Sequence, residues 1–548
     1  MSKLQFPQVP TSGLFKQGYN SYKSEDGVVN RSIAAVREIS SMIRTSVGPS
    51  GRNKIIVNNL QKIFLTSDAS TILRELEIVH PAVKLVVMAS QQQEAEYGDA
   101  SNLVVVLTGE LLNQAEDLLR IGMSASEIVS GFEVAQKHAL EALEAIEVSD
   151  SKVGLDVVLR SVIASKQFGY DDLLEGLVAE AVKYVMPTKT ANFNVDNIRV
   201  VKIMGSALPA SKVVKGMVFP TKPEGVVQSA RNAKVALYTA PFDISQTETK
   251  GTVLLHNAQE MLDFSKGEEQ RMEKFVKELK DAEIGVVVCG SGLGSLALHY
   301  LNKFGILAFR VASKFDLQRL SRVTSSTLLP TLRVPEANEV GQIDVVDVEE
   351  IGGDRVTVFR QESSTSRTAT IVLRGATLNF LDDVERAIDD GVAAVKSLAK
   401  GTTLVPGAGA AEMAIATSVF AQGERTAGIL QHAVKSYAKA FEVVPRTLAD
   451  NAGLDDSEVV SNIYAYSKTP SADGEIPAPG VDIEADSVNG VLDAKQAGIW
   501  DIAVAKKSSI QLATEAACTV LSVDQIIMAK RAGGPAMPKQ GGGDWDQD

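Results

Sequence analysis

The chain has 548 residues, of which 45% are hydrophobic and 22% are charged, and its formal net charge is −13. This length is too great for one hydrophobic core, so we expect about three domains in a globular protein. The acidic balance argues against a nucleic-acid-binding surface over the whole chain. Cys289 and Cys518 lie far apart and the five histidines form no ligand pair. Neither a disulfide framework nor a Cys or His metal site is therefore predicted.

The N-terminal segment M-S-K-L-Q-F-P-Q-V-P has neither a long apolar core nor an Arg-rich amphipathic pattern. We therefore expect neither a signal peptide nor a transit peptide. The longest apolar stretches, such as 83–89 and 103–107, are much shorter than a membrane span. The sequence predicts a cytoplasmic protein without a membrane partner.

Helical periodicity dominates the first part of the chain. In chain order the patterns predict an arm at 1–25, a helix at 28–47, two strands around Asn58-Asn59, a helix from Asp68 and a helix at 81–96. Long helical segments follow to about Ala145, the stretch 124–149 is read as helical, and Val148-Ser149-Asp150 marks a change. Residues 150–218 mix helices with short strands such as I-R-V-V-K-I-M.

The middle of the chain has an α/β pattern. Buried strands are predicted in A-K-V-A-L-Y, I-G-V-V-V-C and I-L-A-F-R-V, with a charged helix at about 266–282. Residues 241–264 are too long for a tight connection, so we expect them to protrude. Ala-rich helices return after residue 407 and are predicted to continue to about Met528, before a disordered Gly/Pro-rich tail. This distribution favours a nested arrangement, in which both chain ends build one domain and the middle is inserted.

Residues 96–107, with the sequence E-Y-G-D-A-S-N-L-V-V-V-L, predict a loop that enters a helix. A helix N-terminus has unpaired N–H groups and a positive dipole, which suit a phosphate. Asp99 next to it could hold a magnesium ion, because this ion is usually bound by one or two carboxylates and phosphate oxygens. On this segment alone, the alternative is an ordinary helix with Asp99 as its N-cap.

Further turns next to helix ends contain Gly48, Asp68 or Gly407-Ala408-Gly409. Glycine in such turns allows the backbone to approach a phosphate, although each turn is also consistent with plain chain reversal. None matches a P-loop or a dinucleotide-binding motif. Asp389-Asp390 lies within a predicted helix, where it could activate a water or form a solvated face. No Ser-His-Asp or Cys-His arrangement is indicated.

Taken in order, these turns resemble the signature of the group II chaperonins. The matching segments are R-T-S-V-G-P-S-G-R-N-K, T-S-D-A-S-T-I-L, G-D-A-S-N, V-E-R-A-I-D-D-G and L-V-P-G-A-G-A-A-E. The resemblance extends from about residue 14 to 530. Stretches such as T-I-L-R-E-L-E-I-V-H-P-A and V-D-Q-I-I-M-A-K-R-A-G-G-P resemble one subunit type of the eukaryotic cytosolic branch.

The resemblance implies a multidomain fold with helical and α/β parts. Residues 1–149 and 407–530 would form an equatorial domain, and residues 150–218 and 373–406 an intermediate α/β domain. An apical α/β domain would comprise residues 219–372, with a lid protrusion at about 243–275. A disordered tail would follow at 531–548.

The resemblance also implies ATP or ADP and Mg²⁺ as cofactors, with roles for particular residues. In the first part of the chain, Val47 and Gly48 would line the nucleotide, Asp99 would bind magnesium, and Ala100, Ser101, Asn102 and Leu103 would surround the phosphates. Asp68 and Asp390 would position and activate the attacking water. Further along, Ala164, Ser165 and Lys166 would sense the nucleotide, Gly407 and Gly409 would approach the base and ribose, and Asp501 would contact either of them.

The chain departs from the family pattern at several of these positions, namely Ala69, Ala100, Asn102, Gly391 and Ala408. Alanine adopts a positive φ at a cost of about 1 kcal/mol. If the family geometry requires a positive φ at residue 100, nucleotide affinity or turnover should fall. The three aspartates remain, so the resemblance still implies ATP hydrolysis, at a reduced rate.

The resemblance implies an ATP-dependent subunit of a hetero-oligomeric double ring that folds unfolded proteins such as actin and tubulin. Its partners would be paralogous chaperonin subunits and unfolded clients, with no nucleic acid. The alternative is a subunit that binds nucleotide but hydrolyses it weakly and serves as a structural, client-contacting ring member. A small-molecule ATPase or kinase has no pocket motif in this sequence to support it.

Overall fold

The computed structural model describes residues 20–22, 27–149, 153–187, 189–243, 258–361, 368–468, 477–484 and 489–528. The predicted tail, most of the predicted arm and residues 244–257 of the predicted lid lie outside these ranges. The described helices are α1 (Val28–Arg44), α2 (Ala69–Glu75), α3 (Pro81–Tyr97), α4 (Ser101–Ile121), α5 (Ala125–Ala145), α6 (Leu155–Ala164), α7 (Asp171–Val185), α8 (Ala258–Asp281), α9 (Ser295–Lys303), α10 (Lys314–Thr324), α11 (Leu378–Lys400), α12 (Ala410–Arg425), α13 (Leu430–Ala440), α14 (Val443–Ala452), α15 (Asp456–Tyr466) and α16 (Ala503–Leu521).

The described strands are short at both chain ends and longer in the middle. They are β1 (Asn20–Tyr22), β2 (Lys54–Val57), β3 (Ile63–Thr66), β4 (Val148–Ser149), β5 (Ile198–Met204), β6 (Lys212–Phe219), β7 (Ala230–Tyr238), β8 (Ile284–Cys289), β9 (Leu307–Arg310), β10 (Leu328–Leu329), β11 (Gly341–Ile351), β12 (Asp354–Arg360), β13 (Ala369–Gly375), β14 (Thr403–Pro406), β15 (Pro479–Val481), β16 (Val491–Asp493), β17 (Trp500–Ile502) and β18 (Ile526–Met528).

A helical core contains residues from both ends of the chain. Its buried members run from Ile33 to Leu143 and again from Val405 to Leu521. The helix α4 packs against α1, α3, α13 and α16. Because helices from both ends surround α4, its first turn is held in place by segments that are far apart in sequence. The predicted domain boundaries themselves stay a prediction.

The middle of the chain forms a mixed sheet with strand order β5-β13-β6-β12-β11-β7-β8-β9, and β10 pairs with β7. The strands β7, β8 and β9 run parallel. Apolar clusters cover this part of the sheet, which explains the continuous apolar runs in the sequence. The turn between β11 and β12 is Gly352-Gly353, and both glycines have the positive φ that a two-residue hairpin favours. No described helix has the length and apolar character needed to cross a membrane.

Several predicted elements are confirmed, including the hairpin around Asn58-Asn59, which is β2–β3. Two predicted helix ends are wrong. The long helices end at Ala145 as predicted, but the helical stretch predicted at 124–149 does not continue to 149, because Val148–Ser149 form β4. The last helical block ends at Leu521 and is interrupted by β15, β16 and β17, because prolines and glycines break the helical pattern. Residues 526–528 form β18, as their two isoleucines favour.

Candidate functional site

A cleft of about 250 Å³ lies at the start of α4, next to the end of α6 and the start of α12. It brings together most of the residues that the sequence singled out. Those that line it are Val47, Gly48, Asp99, Ala100, Ser101, Asn102, Leu103, Ser165, Lys166, Gly409 and Asp501. Of the remaining predicted residues, Asp68 and Asp390 contact Lys166 behind the wall of the cleft. Ala164 and Gly407 do not line it.

The first turn of α4 is open towards the cleft. Its N-cap is Ala100, which adopts the left-handed conformation at φ 62°, and no side chain caps the helix. Asp99 is therefore not the N-cap; its Oδ1 instead accepts a hydrogen bond from the Ala100 N–H at 2.6 Å. Helix N-termini without a side-chain cap keep N–H groups available for an anion.

Asn102, which replaces a threonine of the family motif, joins three segments of the site. Its Oδ1 accepts a hydrogen bond from the Ala69 N–H at 2.8 Å. Its Nδ2 donates to the carbonyl oxygens of Ser46 and Ser67 at 3.4 and 3.3 Å. The side chain thus ties the loop after α1 and the loop before α2 to the first turn of α4.

Lys166 joins two buried aspartates from different parts of the chain. Its Nζ lies 3.1 Å from Asp68 Oδ1 and also contacts Asp390 Oδ2. Asp68 and Asp390 are 3% and 4% exposed. Asp68 is the N-cap of α2, where its Oδ2 accepts from the Thr71 N–H at 2.9 Å. The solvated helix face that the sequence allowed for Asp390 is therefore wrong.

Carboxylates outnumber cations around Lys166. Burial alone would lower the pKa of Lys166, but Asp390 and Asp68 outweigh burial and hold this pKa well above its usual value. Burial raises the pKa of Asp390, and Glu94 and Asp68 add to the effect against the opposing charge of Lys166. For Asp68, burial is outweighed by Lys166 and by the Thr71 hydrogen bond, so its pKa is lowered.

Two further carboxyl groups extend this cluster. Burial raises the pKa of Asp99, although Lys166 opposes the change. Burial, with the charge of Asp68, raises the pKa of Glu94 to about 7. Glu94 Oε2 is buried and has no hydrogen-bond partner among the described residues. No sequence motif singles out Glu94, because it lies within the regular pattern of α3.

The loop after α1 reaches the cleft through Gly48, which has φ 81°. A Cβ at this position would lie 2.4 Å from Leu448 Cδ2, so only glycine fits without a shift. Asn451 supports the loop, because its Nδ2 donates to the carbonyl oxygens of Arg44 and Val47 at 3.1 and 2.8 Å. This supporting residue has no motif of its own in the sequence.

Another part of the cleft is formed by the start of α12 and by β17. Gly409 caps α12 at φ 81°, and Ala408 before it has φ 54°. Gly407 donates its N–H to the Ile499 carbonyl oxygen at 3.0 Å. Asp501 lines the cleft here, beside the buried residues Glu412 and Lys506.

The departures from the family pattern have different structural consequences. Ala100 and Ala408 adopt a positive φ, so a side chain is strained at both positions. Ala69 is the first residue of α2 and has no positive φ. Gly391 lies within α11, where an added Cβ would make ordinary contacts with Ile163 at 3.5 Å. Only the first two substitutions therefore strain the backbone.

Comparisons with known proteins identify the family. Residues 39–531 match the TCP-1/cpn60 chaperonin family. The chain belongs to this family. Its mixed helical and α/β architecture is the multidomain chaperonin fold, as the sequence predicted.

The relatives match over the full length of this chaperonin-family chain. It is 54% identical over 550 residues to a Schizosaccharomyces pombe protein named "Probable T-complex protein 1 subunit theta", with all of both chains covered. It is 54% identical over 567 residues to the Saccharomyces cerevisiae T-complex protein 1 subunit theta, again with full coverage of both. The Homo sapiens protein of the same name is 45% identical, with 100% of this chain and 99% of the relative covered.

Proposed function

We propose that this chain is an ATP-hydrolysing subunit of a hetero-oligomeric chaperonin double ring that encloses and folds unfolded proteins. The observation that carries the proposal is the contact of Lys166 with both Asp68 and Asp390 beside the uncapped start of α4. The full-length similarity to proteins named as theta subunits supports the ring assignment. Paralogous subunits would be its neighbours, and the cytoplasm its location.

The residues present fit a magnesium nucleotide. The open N–H groups of α4 suit phosphate oxygens, and the excess of buried carboxylates suits a divalent cation. Within the described residues, no three His, Cys, Asp or Glu side chains are placed to hold a metal ion by themselves. Magnesium at Asp99 would therefore take phosphate oxygens as further ligands, as this ion commonly does.

Asp390, Asp68 and Lys166 have different roles in hydrolysis. Bound ATP with its magnesium ion supplies the phosphoanhydride bond that is cleaved. Asp390 accepts the proton of the attacking water, and Asp68 holds that water in place. Lys166 keeps both carboxylates in position and provides positive charge at the phosphate end of the cleft.

A second candidate function is a ring subunit that binds nucleotide but hydrolyses it weakly. The observation in its favour is the left-handed conformation of Ala100 and Ala408, at φ 62° and 54°. Each costs about 1 kcal/mol relative to glycine, so a small loss of site stability is expected. The retained Asp68, Asp99 and Asp390 favour hydrolysis instead.

Assembly and magnesium-dependent binding test the proposal together. Co-expressed with paralogous subunits, the chain should elute as a large ring and not as a 58.4 kDa monomer. ATP binding to its site should require magnesium, and Asp99→Asn should remove that requirement together with most of the affinity. A chain that stays monomeric, or that binds ATP equally well without magnesium, would refute the assignment.

A further inference from the structure

Asp383 is a second buried aspartate on α11, and it does not line the cleft. Its exposed fraction is 5%. Asp383, Arg386 and Asp390 are spaced at i, i+3 and i+7, so they lie on one face of the helix. Asp383 is therefore about two helical turns from the aspartate that contacts Lys166.

The Asp383 carboxylate accepts hydrogen bonds from two segments that are distant in sequence. Gln167 Nε2 donates to its Oδ2 at 2.6 Å, and Asn53 Nδ2 donates to the same oxygen at 3.4 Å. Gln167 is itself 8% exposed and directly follows Lys166 in the chain. One carboxylate therefore ties the loop after α6 and the segment before β2 to α11.

The same face of α11 also contacts the strand that leads to Asp68. Arg386 Nη1 donates to the Leu65 carbonyl oxygen at 3.2 Å and lies 3.6 Å from Asp383 Oδ1. Leu65 belongs to β3 and precedes Asp68 by three residues. Contacts from α11 thus fix the chain next to Lys166 and close to Asp68.

These contacts restrict Lys166 where its own ion pairs do not. Lysine has a flexible four-carbon stem, so pairing with Asp68 and Asp390 can be made from several backbone positions. The hydrogen bond between Gln167 and Asp383 fixes the adjacent residue and with it the start of that stem. Burying the Asp383 carboxylate carries a desolvation penalty, which a packing role alone would not require.

We propose that Asp383 is a positioning residue for ATP hydrolysis, which acts through Gln167 to hold Lys166 in contact with both Asp68 and Asp390. Because neither Asp383 nor Gln167 lines the cleft, the pair acts on the geometry of the aspartates and not on nucleotide binding. This inference rests on the proposed hydrolytic function and deepens it.

Single-turnover hydrolysis and ATP titration of the assembled ring test the inference, with this subunit's share of the ADP and of the bound ATP as readouts. Gln167→Met removes the donated hydrogen bond with little change of shape. It should slow hydrolysis about tenfold, because a small displacement of catalytic groups has a large effect on rate. The ATP dissociation constant should stay within about twofold, since only the chemical step is affected.

A conservative variant and a double variant show whether the two residues act as one unit. Asp383→Asn keeps an acceptor oxygen for Gln167 and should slow hydrolysis by only about threefold. Asp383→Asn combined with Gln167→Met should be no slower than Gln167→Met alone, because residues that act through one contact are not additive. If Gln167→Met does not assemble into rings, Asp383→Asn still has to show slower hydrolysis at unchanged affinity.

The control is Asp382→Asn. Asp382 is the adjacent residue of α11, and its partly exposed carboxylate pairs with Lys202. This variant should change neither the rate of hydrolysis nor the ATP dissociation constant.

Three outcomes would overturn the inference, and they are distinguishable. Hydrolysis at the wild-type rate in Gln167→Met and Asp383→Asn would show that Lys166 does not need this support. An equal loss of rate and affinity would show that Asp383 has only a structural role. In both cases the proposed function still stands, whereas a wild-type subunit that forms no ADP would refute the proposed function and this inference with it.

Discussion

Lys166 Nζ lies 3.1 Å from Asp68 Oδ1, although the two residues are separated by 98 positions in the sequence. The same ammonium group contacts Asp390 on α11. One side chain therefore joins the loop after α6, the cap of α2 and the middle of α11.

Replacing Lys166 tests how much this contact contributes to the free energy of unfolding. Lys166→Met leaves Asp68 and Asp390 buried without their cation, so we expect the free energy of unfolding to fall by about 3–5 kcal/mol. Chemical denaturation of the full-length chain without nucleotide measures this. The control is Lys183→Met, because the Lys183–Asp156 ion pair is 65% and 55% exposed. That variant should change stability by less than about 1 kcal/mol. Equal effects of the two changes would contradict the account.

The left-handed backbone at Ala100 predicts a stabilising substitution. Ala100→Gly removes the strain of a side chain at φ 62° and should raise the free energy of unfolding by about 1 kcal/mol. Ala69→Gly is the matched control, because residue 69 begins α2 without a positive φ. It should be neutral or destabilising by up to about 1 kcal/mol. Denaturation midpoints that rise equally for both variants would refute this interpretation.

Gly98 combines a positive φ with a tight contact to α11. A Cβ at residue 98 would lie 2.3 Å from Ala393 Cβ, whereas Gly122, at φ 105°, has open space around it. Gly122→Ala should therefore cost about 1 kcal/mol for the backbone alone. Gly98→Ala should cost more, because α3 and α11 must also move apart. Thermal unfolding of both variants measures the difference, and equal melting temperatures would argue against a packing role for Gly98.

The raised pKa of Glu94 predicts that the free energy of unfolding depends on pH. In an unfolded chain, glutamate has a pKa of about 4.3, while in the folded protein burial raises the pKa of Glu94 to about 7. Between these values the folded protein holds a proton that the unfolded chain has lost, so stability falls as pH rises from about 4.5 to 7.

Glu94→Gln cannot ionise and should lack this part of the fall. The variant should thus gain stability relative to wild type as pH rises to about 8, measured without nucleotide or magnesium. Glu96→Gln, an exposed position on the same helix, is the control and should follow the wild-type curve. Parallel curves for wild type and Glu94→Gln would rule out the effect.

Features that depend on local sequence could be predicted. The open start of α4, the cap at Asp68 and the glycine turns at Gly48 and Gly409 are each defined by neighbouring residues. The structure places all of them except Asp68 in the lining of one cleft. The strain at Ala100 could also be foreseen, because the residue type conflicts with the conformation that the family resemblance implied.

Features that depend on tertiary packing could not be predicted. Lys506 belongs to an Ala-rich helix without any motif, and only the tertiary fold brings it between Glu412 of α12 and Asp501 of β17. Glu94 likewise has an ordinary place in α3, and its pKa is raised by burial and by the charge of Asp68, which lies far from it in sequence. In the sequence, Asn102 is only a departure from the family pattern, whereas in the structure its side chain bridges three segments.

Single-turnover ATP hydrolysis by the assembled ring tests the central claim most directly. Rings that contain this subunit as wild type, as Asp390→Ala or as Asp389→Ala are compared; Asp389 is the exposed neighbour on the same helix. We predict that Asp390→Ala retains ATP binding but removes this subunit's share of the ADP formed in the first turnover, while Asp389→Ala keeps it. An unchanged yield and rate of ADP with Asp390→Ala would contradict the assignment of Asp390 and the proposed ATPase site.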